Sequence, residues 1–181
     1  MSTLRDIPVN TIAGEETTLG AIDAEVLLVV NVASKCGLTP QYEALEALHR
    51  SYANRGLSVC GFPANDFGGQ EPGTNEEIAE FCQTTFDVSF PMFSKVVATG
   101  DDRHPLYSEM IAQQPVPNGN HQAYRERLHG FDIQTTEPPE VLWNFEKFLI
   151  GKDGTVVDRF SPNTKVDDPI VVEAIEAALN A

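Results

Sequence analysis

The hydrophobic residues of the first third of the chain follow the order strand, helix, strand. Residues 25–32 (EVLLVVNV) form an almost continuous apolar run, which is typical of a strand buried on both faces of a largely parallel sheet. A helix should follow, with Thr39 as its cap, Pro40 as its first residue and Gly56 at its end. Its apolar residues recur at helical spacing: Tyr42, Leu45, Leu48 and Tyr52. Residues 57–62 (LSVCGF) then predict a second buried strand, so this part of the chain is expected to be α/β.

A polar, glycine-rich segment separates the second strand from the next helix. Residues 64–73 (ANDFGGQEPG) contain too many Gly, Asn and Pro residues for regular structure. They follow the carboxyl end of a strand, which is where ligands bind in open α/β sheets. Thr74 and Glu77 form a T-x-x-E capping box, which predicts that a helix begins here. One face of this helix carries four apolar residues: Ile78, Phe81, Cys82 and Phe86.

The last third of the chain becomes regular after a stretch that is harder to interpret. Residues 104–114 predict a helix, whereas residues 116–140 show little periodicity beyond a turn around residues 124–128. Residues 144–150 and 155–160 are joined by a GKDG turn. They predict an antiparallel hairpin.

A terminal helix completes the predicted order of elements. Asp168 and Pro169 form its expected start. Its apolar side carries Val172, Ile175 and Leu179. The whole order predicts an α/β protein with a thioredoxin-like fold, in which helices flank a central mixed sheet and an insertion lies near residues 114–140. Residues 1–181 are expected to form a single domain.

Charge narrows the range of partners. The chain has 27 acidic and 12 basic residues and a formal net charge of -15, which repels the phosphates of nucleic acids and anionic lipid head groups. Neither nucleic acid nor a membrane is therefore an expected partner. No run is apolar enough for a signal peptide or a membrane span, so a cytoplasmic location is expected. The four histidines lack metal-ligand spacing, and no metal or other cofactor is predicted.

The chain has three cysteines without a C-x-x-C pair, which suggests catalytic or inert thiols in a reducing compartment. Cys36 lies between a buried strand and the start of a helix, where free amide groups and the helix dipole favour an anion. Lys35 adds a positive charge. The alternative is a small buried thiol, but a polar loop that contains glycine is a poor place to bury one. Cys36 is therefore the candidate nucleophile.

Three blocks of sequence resemble, in order, the signature blocks of glutathione peroxidases. They are NVASKCGLTPQY at residues 31–42, GFPANDFGGQEPGTNEEI at 61–78 and LWNFEKFLI at 142–150. The resemblance spans most of the chain, is loosest between residues 114 and 139, and is nearest to the bacterial cysteine-type branch without selenium. It implies a peroxidase that reduces hydrogen peroxide and organic hydroperoxides through a sulfenic acid on Cys36.

The same resemblance implies three partners for the nucleophile: Gln70, Trp143 and Asn144. Two amides and an indole N–H supply hydrogen-bond donors without charge, which an anionic sulfur and a departing oxygen both need. Taken alone, each residue has a more ordinary role as a solvated loop glutamine, a core tryptophan or a turn asparagine. Together with Cys36 they form the predicted catalytic group.

A second thiol must resolve the sulfenic acid, and Cys82 is the candidate within the chain. In thioredoxin-dependent relatives the resolving position corresponds to Gln83, and a shift of one residue turns a helical side chain by about 100°. Cys82 is thus either the resolving thiol or a buried core residue, and a disulfide with Cys36 would require its helix to unwind. Ala64 stands where many relatives have another cysteine. Cys60, inside an apolar strand, is expected to be inert.

The electron donor is the least determined part of the prediction. Glutathione-specific relatives bind an anionic tripeptide through basic residues, and this acidic chain has few; one cluster, Arg125, Arg127 and His129, falls in the insertion. Thioredoxin is therefore the preferred donor if Cys82 resolves Cys36, with glutathione as the alternative. Two other functions stay open. One is a redox sensor or relay that passes oxidation to a partner protein, and the other is a non-catalytic role in cobalamin uptake that rests on a family association alone.

Overall fold

The computed structural model describes residues 3–181, so the first two residues of the predicted domain lie outside it. The described residues contain six strands: β1 (Pro8–Asn10), β2 (Glu16–Thr18), β3 (Val26–Val32), β4 (Leu57–Pro63), β5 (Lys147–Ile150) and β6 (Val156–Phe160). The first two form a small separate hairpin, and the other four form one sheet in the order β4-β3-β5-β6. β3 and β4 are parallel, while β5 runs antiparallel to both of its neighbours. The predicted mixed sheet and its C-terminal hairpin are confirmed.

Helices cover both faces of this sheet. All seven residues of β3 and all seven of β4 are buried, as their continuous apolar runs predicted. One face packs against α1 (Gln41–Tyr52), α2 (Asn75–Phe86) and α5 (Pro169–Leu179). The other face packs against α3 (Pro105–Gln113), α4 (His121–Gly130) and the N-terminal segment. The predicted α/β architecture is confirmed.

Two helices begin at the predicted caps. The hydroxyl of Thr74 accepts a hydrogen bond from the amide of Glu77, and the Glu77 carboxylate accepts one from the amide of Thr74, both at 3.2 Å. These reciprocal bonds start α2. The Asp168 carboxylate accepts a bond from the amide of Ile170 at 3.0 Å and starts α5.

The start of α1 differs from the prediction. The helix begins at Gln41, one residue after Pro40, and the hydroxyl of Thr39 does not cap it. That hydroxyl is used by the preceding loop, where it binds the backbone of Cys36. At the other end, Gly56 has a φ of 100° after a short 3₁₀ turn and ends the helical segment as predicted.

Two smaller corrections concern the C-terminal third. β5 begins at Lys147, because Asn144 lies in a tight turn in which Phe145 has a φ of 69°. On α5 the residue in the core is Val171 and not Val172, which is only half-buried. The sequence pattern allows either valine to face the core, and packing of α5 against the sheet places Val171 there.

The insertion is more regular than its sequence indicated. It contains α4, which has only two buried apolar side chains, Tyr124 and Leu128, one turn apart. Such a short stripe is too weak a signal to predict a helix. Arg125 is buried and donates hydrogen bonds to the carbonyl of Thr136 and, at 3.1 Å, to the hydroxyl of Thr135. These bonds hold α4 against the loop that follows it.

Candidate active site

Cys36 lies in the loop between β3 and α1, and Thr39 holds this loop in place. The hydroxyl of Thr39 accepts a hydrogen bond from the amide of Cys36 at 3.0 Å and donates one to the carbonyl of Ala33 at 2.8 Å. The amide of Thr39 in turn donates to the carbonyl of Cys36 at 3.1 Å. One buried threonine therefore fixes the backbone on both sides of Cys36.

The sulfur of Cys36 is half-buried and receives a backbone donor. The amide of Leu38 donates to Sγ at 3.3 Å, and the amino end of α1 lies a few residues further along. Both features favour negative charge on the sulfur. The side chain of Lys35 is exposed next to it, which supports the expected positive charge beside the loop.

Gln70 connects the Cys36 loop to the segment before β5. The carbonyl of Gln70 accepts a hydrogen bond from the amide of Lys35 at 3.0 Å. Its side-chain oxygen accepts one from the amide nitrogen of Asn144 at 2.9 Å. Asn144 is fully buried, and the same nitrogen lies 3.4 Å from the carbonyl of Phe67. The structure thus brings two of the three predicted partners into direct contact and joins them to the loop of Cys36, the candidate nucleophile.

Trp143 lies in the same region and is 5% exposed. Its carbonyl accepts a hydrogen bond from the Asn31 side chain at 3.0 Å, and its ring packs against Phe67 with 5.8 Å between centroids. Gly68 has a φ of +71°, and a Cβ at this position would lie 3.2 Å from the indole ring, so the tryptophan requires glycine there. Cys36 packs against the apolar cluster that contains Trp143.

Sheet topology explains why these distant segments meet. The carboxyl ends of the parallel strands β3 and β4 lie at one edge, and the antiparallel β5 begins at that same edge. The loops that carry Cys36, Gln70 and the pair Trp143 and Asn144 are therefore neighbours. This is the grouping that the resemblance implied; the chemical role of each residue stays a prediction.

Cys82 lies on the inner face of α2 and is only 2% exposed. Burial raises the pKa of its thiol to about 11, and the hydroxyl of Tyr42 lies beside it. Cys36 and Cys82 are both free thiols. Because Cys82 is held inside a regular helix, a disulfide between the two would require α2 to rearrange. The expected apolar position of Cys82 is confirmed, and its chemical role stays a prediction.

Two other titratable groups are buried near this edge. Cys60 lies inside β4, and burial raises the pKa of its thiol to about 12, which agrees with the inert role predicted for it.

Glu71 directly follows Gln70 and is 1% exposed. Burial raises the pKa of its carboxyl, although nearby Ser34 and two lysines act in the opposite direction. Within residues 3–181 its Oε2 has no hydrogen-bond partner. Sequence analysis did not single out Glu71.

Helix α4 lies beside the Cys36 loop, a feature that sequence analysis also missed. Tyr124 belongs to the apolar cluster against which Cys36 and Leu38 pack. Arg127, one turn further on, lines a groove of about 660 Å³ together with Gly37 and Leu38. The insertion therefore forms one wall of the candidate active site.

The basic cluster predicted in the insertion does not converge on one point. Arg125 is buried within the insertion, whereas Arg127 lines the groove beside the Cys36 loop. His129 lies 2.8 Å from the hydroxyl of Thr135. Of these three residues, Arg127 is therefore the one that lines the groove.

A buried ion pair supports the turn before β5. Arg159 and Glu146 are both fully buried, and Nε of Arg159 lies 2.7 Å from the carboxylate. The other carboxylate oxygen accepts a hydrogen bond from the amide of Leu142 at 3.1 Å. Arg159 also donates to the carbonyls of Gln114 and Glu140, at 3.0 and 3.1 Å. The pair thereby fixes both ends of the insertion to the sheet.

No helix within residues 3–181 is long and apolar enough to cross a membrane. The same residues contain no group of three or more His, Cys, Asp and Glu side chains that could hold a metal ion.

Comparison with known sequences identifies relatives along nearly the whole chain. The family model described as glutathione peroxidase matches residues 4–111. The thioredoxin/glutathione peroxidase BtuE of Escherichia coli is 50% identical over 172 residues, which cover 94% of each protein. The hydroperoxy fatty acid reductase Gpx2 of Synechocystis is 44% identical over 169 residues, which cover 93% of this chain and 94% of the relative.

Solved structures agree with this result. A crystal structure of T. cruzi GPX1 superposes with a TM-score of 0.70 at 30% identity and covers 99% of this chain and 98% of its own. A more distant likeness, to a putative thiol:disulfide interchange protein DsbE of Chlorobium tepidum, has a TM-score of 0.57 at 14% identity, covers 98% of this chain and 96% of its own, and concerns the fold alone. The predicted thioredoxin-like fold is confirmed.

Proposed function

The chain belongs to the glutathione peroxidase family, and from this premise we propose that Cys36 is the nucleophile of its peroxidase reaction. The proposed donors around it are Gln70, Trp143 and Asn144. The observation that carries the assignment is the chain of contacts at the sheet edge: the Cys36 loop binds Gln70 through its backbone, and Gln70 binds Asn144 through its side chain. These contacts support the proposal because they tie the segments of Gln70 and Asn144 to the loop that carries Cys36.

The proposed reaction follows the oxidation chemistry of a thiolate. The sulfur of Cys36 attacks one peroxide oxygen, so that an S–O bond forms while the O–O bond breaks. The sulfur loses two electrons and becomes a sulfenic acid, and the other oxygen departs and gains a proton to form water or an alcohol. Amide and indole N–H groups that are already in position stabilise the charge on the sulfur and on the departing oxygen.

Cys82 is the proposed resolving thiol. Its sulfur would displace the hydroxyl group of the Cys36 sulfenic acid, giving a disulfide and water. Because Cys82 is buried on the inner face of α2, this step requires the helix to unwind around it. Thioredoxin would then reduce the disulfide by thiol exchange, with direct attack of glutathione on the sulfenic acid as the alternative. The name of the E. coli relative includes both donors.

Hydrogen peroxide and organic hydroperoxides are the proposed substrates. The groove beside the Cys36 loop has an apolar lining that includes Leu38, Ala44 and Val166, and its volume of about 660 Å³ suits an organic group. The Synechocystis relative is named as a reductase of hydroperoxy fatty acids. A single domain in the cytoplasm is part of the proposal, because three free cysteines suit a reducing compartment.

The test compares the wild type with Cys36→Ser and Cys82→Ser, each supplied with peroxide and with either thioredoxin and its reductase or glutathione. Cys36→Ser should consume no peroxide, and retained turnover would overturn the assignment of the nucleophile. With thioredoxin, Cys82→Ser should consume one equivalent of peroxide and then stop. Turnover at the wild-type rate would instead make Cys82 a core residue, with the second thiol supplied by the reductant.

A further inference from the structure

The proposed reaction leaves one proton without a donor. The oxygen that departs from the peroxide leaves as hydroxide or alkoxide, and each needs a proton to become water or an alcohol. Gln70, Trp143 and Asn144 can offer hydrogen bonds, but amide and indole groups do not release protons at neutral pH. A side chain with an acidic O–H close to Cys36 would complete the reaction.

Tyr124 has such a group, and its helix faces the reactive loop. Tyr124 is 8% exposed and belongs to the apolar cluster against which Cys36 and Leu38 pack. Arg127, three residues further along and therefore on the same face of α4, lines the groove together with Gly37 and Leu38. Tyr124 thus shares an apolar cluster with Cys36, and the same face of α4 carries a residue that lines the groove beside the Cys36 loop.

The electrostatic environment keeps this phenol protonated until a strong base forms. Burial raises the pKa of Tyr124 to about 12, the charge of Cys36 acts in the same direction, and Arg127 opposes them. Tyr124 therefore retains its proton at neutral pH even beside an anionic sulfur. A phenol with this pKa is still a much stronger acid than water. It can therefore protonate a departing hydroxide or alkoxide.

We propose that Tyr124 donates the proton to the departing oxygen when Cys36 reacts with a peroxide. As the S–O bond forms and the O–O bond breaks, the O–H bond of Tyr124 breaks and its proton moves to the departing oxygen. The tyrosinate then regains a proton from solvent. Sulfur supplies both electrons, so Tyr124 is not oxidised. This inference rests on the proposed role of Cys36 and adds to it a residue outside the three signature blocks.

The choice of oxidant separates proton donation from support of the fold. Hydrogen peroxide and cumene hydroperoxide release strongly basic oxygens, whereas peroxyacetic acid releases acetate, which needs no proton. Tyr124→Phe should lower the single-turnover rate of Cys36 oxidation on the order of 100-fold with the first two oxidants and less than about threefold with the third. Rapid mixing can follow the reaction through the fluorescence of Trp143, the single tryptophan of the chain.

Tyr52→Phe is the matched control, because the hydroxyl of Tyr52 binds Glu176 at 2.8 Å at the far end of α1. This variant should keep all three rates. In Tyr124→Phe, an equal loss with every oxidant would assign the residue to packing and overturn the inference, as would unchanged rates. Cys36→Ser, measured in the same experiment, tests the assignment of Cys36 as the nucleophile separately. If this variant still consumes peroxide, that assignment is wrong as well. If it is inactive while Tyr124→Phe reacts normally, only the assignment of the proton donor is wrong.

Discussion

At the scale of single residues, the reactive loop depends on the hydroxyl of Thr39. Thr39→Val keeps the shape of the side chain but leaves the amide of Cys36 and the carbonyl of Ala33 without their partner. We expect the free energy of unfolding to fall by about 1–3 kcal/mol and the reaction with peroxide to slow, because the sulfur is no longer held in place. Urea unfolding and single-turnover kinetics measure the two effects. Thr39→Ser should restore most of both, and wild-type behaviour of Thr39→Val would contradict the prediction.

Trp143 combines two roles that substitution can separate. Trp143→Phe keeps an aromatic ring in the core and removes the N–H donor, so we expect peroxide reactivity to fall at least about tenfold with a loss of stability below about 1.5 kcal/mol. Trp143→Ala should cost about 3–5 kcal/mol, because it also removes the ring that packs against Phe67. Sulfenic acid trapping and thermal unfolding provide the measurements. Normal reactivity of Trp143→Phe would make this residue part of the core alone.

Glu71 should make stability depend on pH. Burial raises the pKa of its carboxyl, so the folded protein binds this proton more tightly than the unfolded chain does. The contribution of the protonated Glu71 carboxyl to the free energy of unfolding is therefore present at low pH and is lost as the pH rises through its pKa in the folded protein. Glu71→Gln should be more stable than the wild type at neutral pH, on the order of 1 kcal/mol, and the difference should vanish toward acid pH.

Thermal unfolding at several pH values tests the Glu71 prediction. Glu77→Gln is the control, because Glu77 is exposed and its capping-box position also accepts glutamine. This variant should show no such trend with pH. A Glu71→Gln protein that is less stable than the wild type at neutral pH would mean that the carboxylate is stabilised in the fold.

At the scale of elements, α2 has to be both regular and able to open. In the reduced protein it begins after the Thr74 cap and ends at Phe86, followed by the C-cap Asp87 with a φ of 50°. The proposed disulfide requires Cys82 to leave the inner face of this same helix. The stability of α2 should therefore set the rate at which the second thiol arrives.

Thr74→Ala tests this coupling. Loss of the cap should destabilise α2 by about 1 kcal/mol and, if unwinding limits the step, increase the rate of disulfide formation about fivefold. Thiol titration after one equivalent of peroxide follows the step, and Thr74→Ser should behave like the wild type. A slower rate in Thr74→Ala would indicate that the disulfide forms while the helix is intact.

At the scale of the whole molecule, the pair of Arg159 and Glu146 joins the sheet, the insertion and the turn before β5. Arg159→Met would leave a buried carboxylate without its partner, so we expect a loss of about 3–5 kcal/mol in the free energy of unfolding. Arg55→Met breaks the exposed pair with Glu176, which solvent screens, and should therefore lower the free energy of unfolding much less. Chemical denaturation of both variants measures the contrast, and similar losses would contradict it.

Much of the molecule follows from local pattern. The continuous apolar runs of β3 and β4 predict strands that are buried on both faces. The T-x-x-E spacing of Thr74 and Glu77 predicts the start of α2. The three signature blocks also single out Gln70 and Asn144 as site residues, and the structure brings these two into contact. These features depend on residues that are close together in sequence, or on a shared family pattern, and both can be read without coordinates.

The tertiary structure decided what depends on contacts between distant segments. The hydroxyl of Thr39 could cap a helix or close the loop that precedes it, and only the packed backbone around Cys36 selects the second. Tyr124 and Leu128 form too short a stripe to predict α4, and nothing in their spacing places this helix over a loop about ninety residues earlier in the chain. Hydrophobic periodicity indicates whether a side chain is buried, whereas only the fold determines which other side chains it packs against.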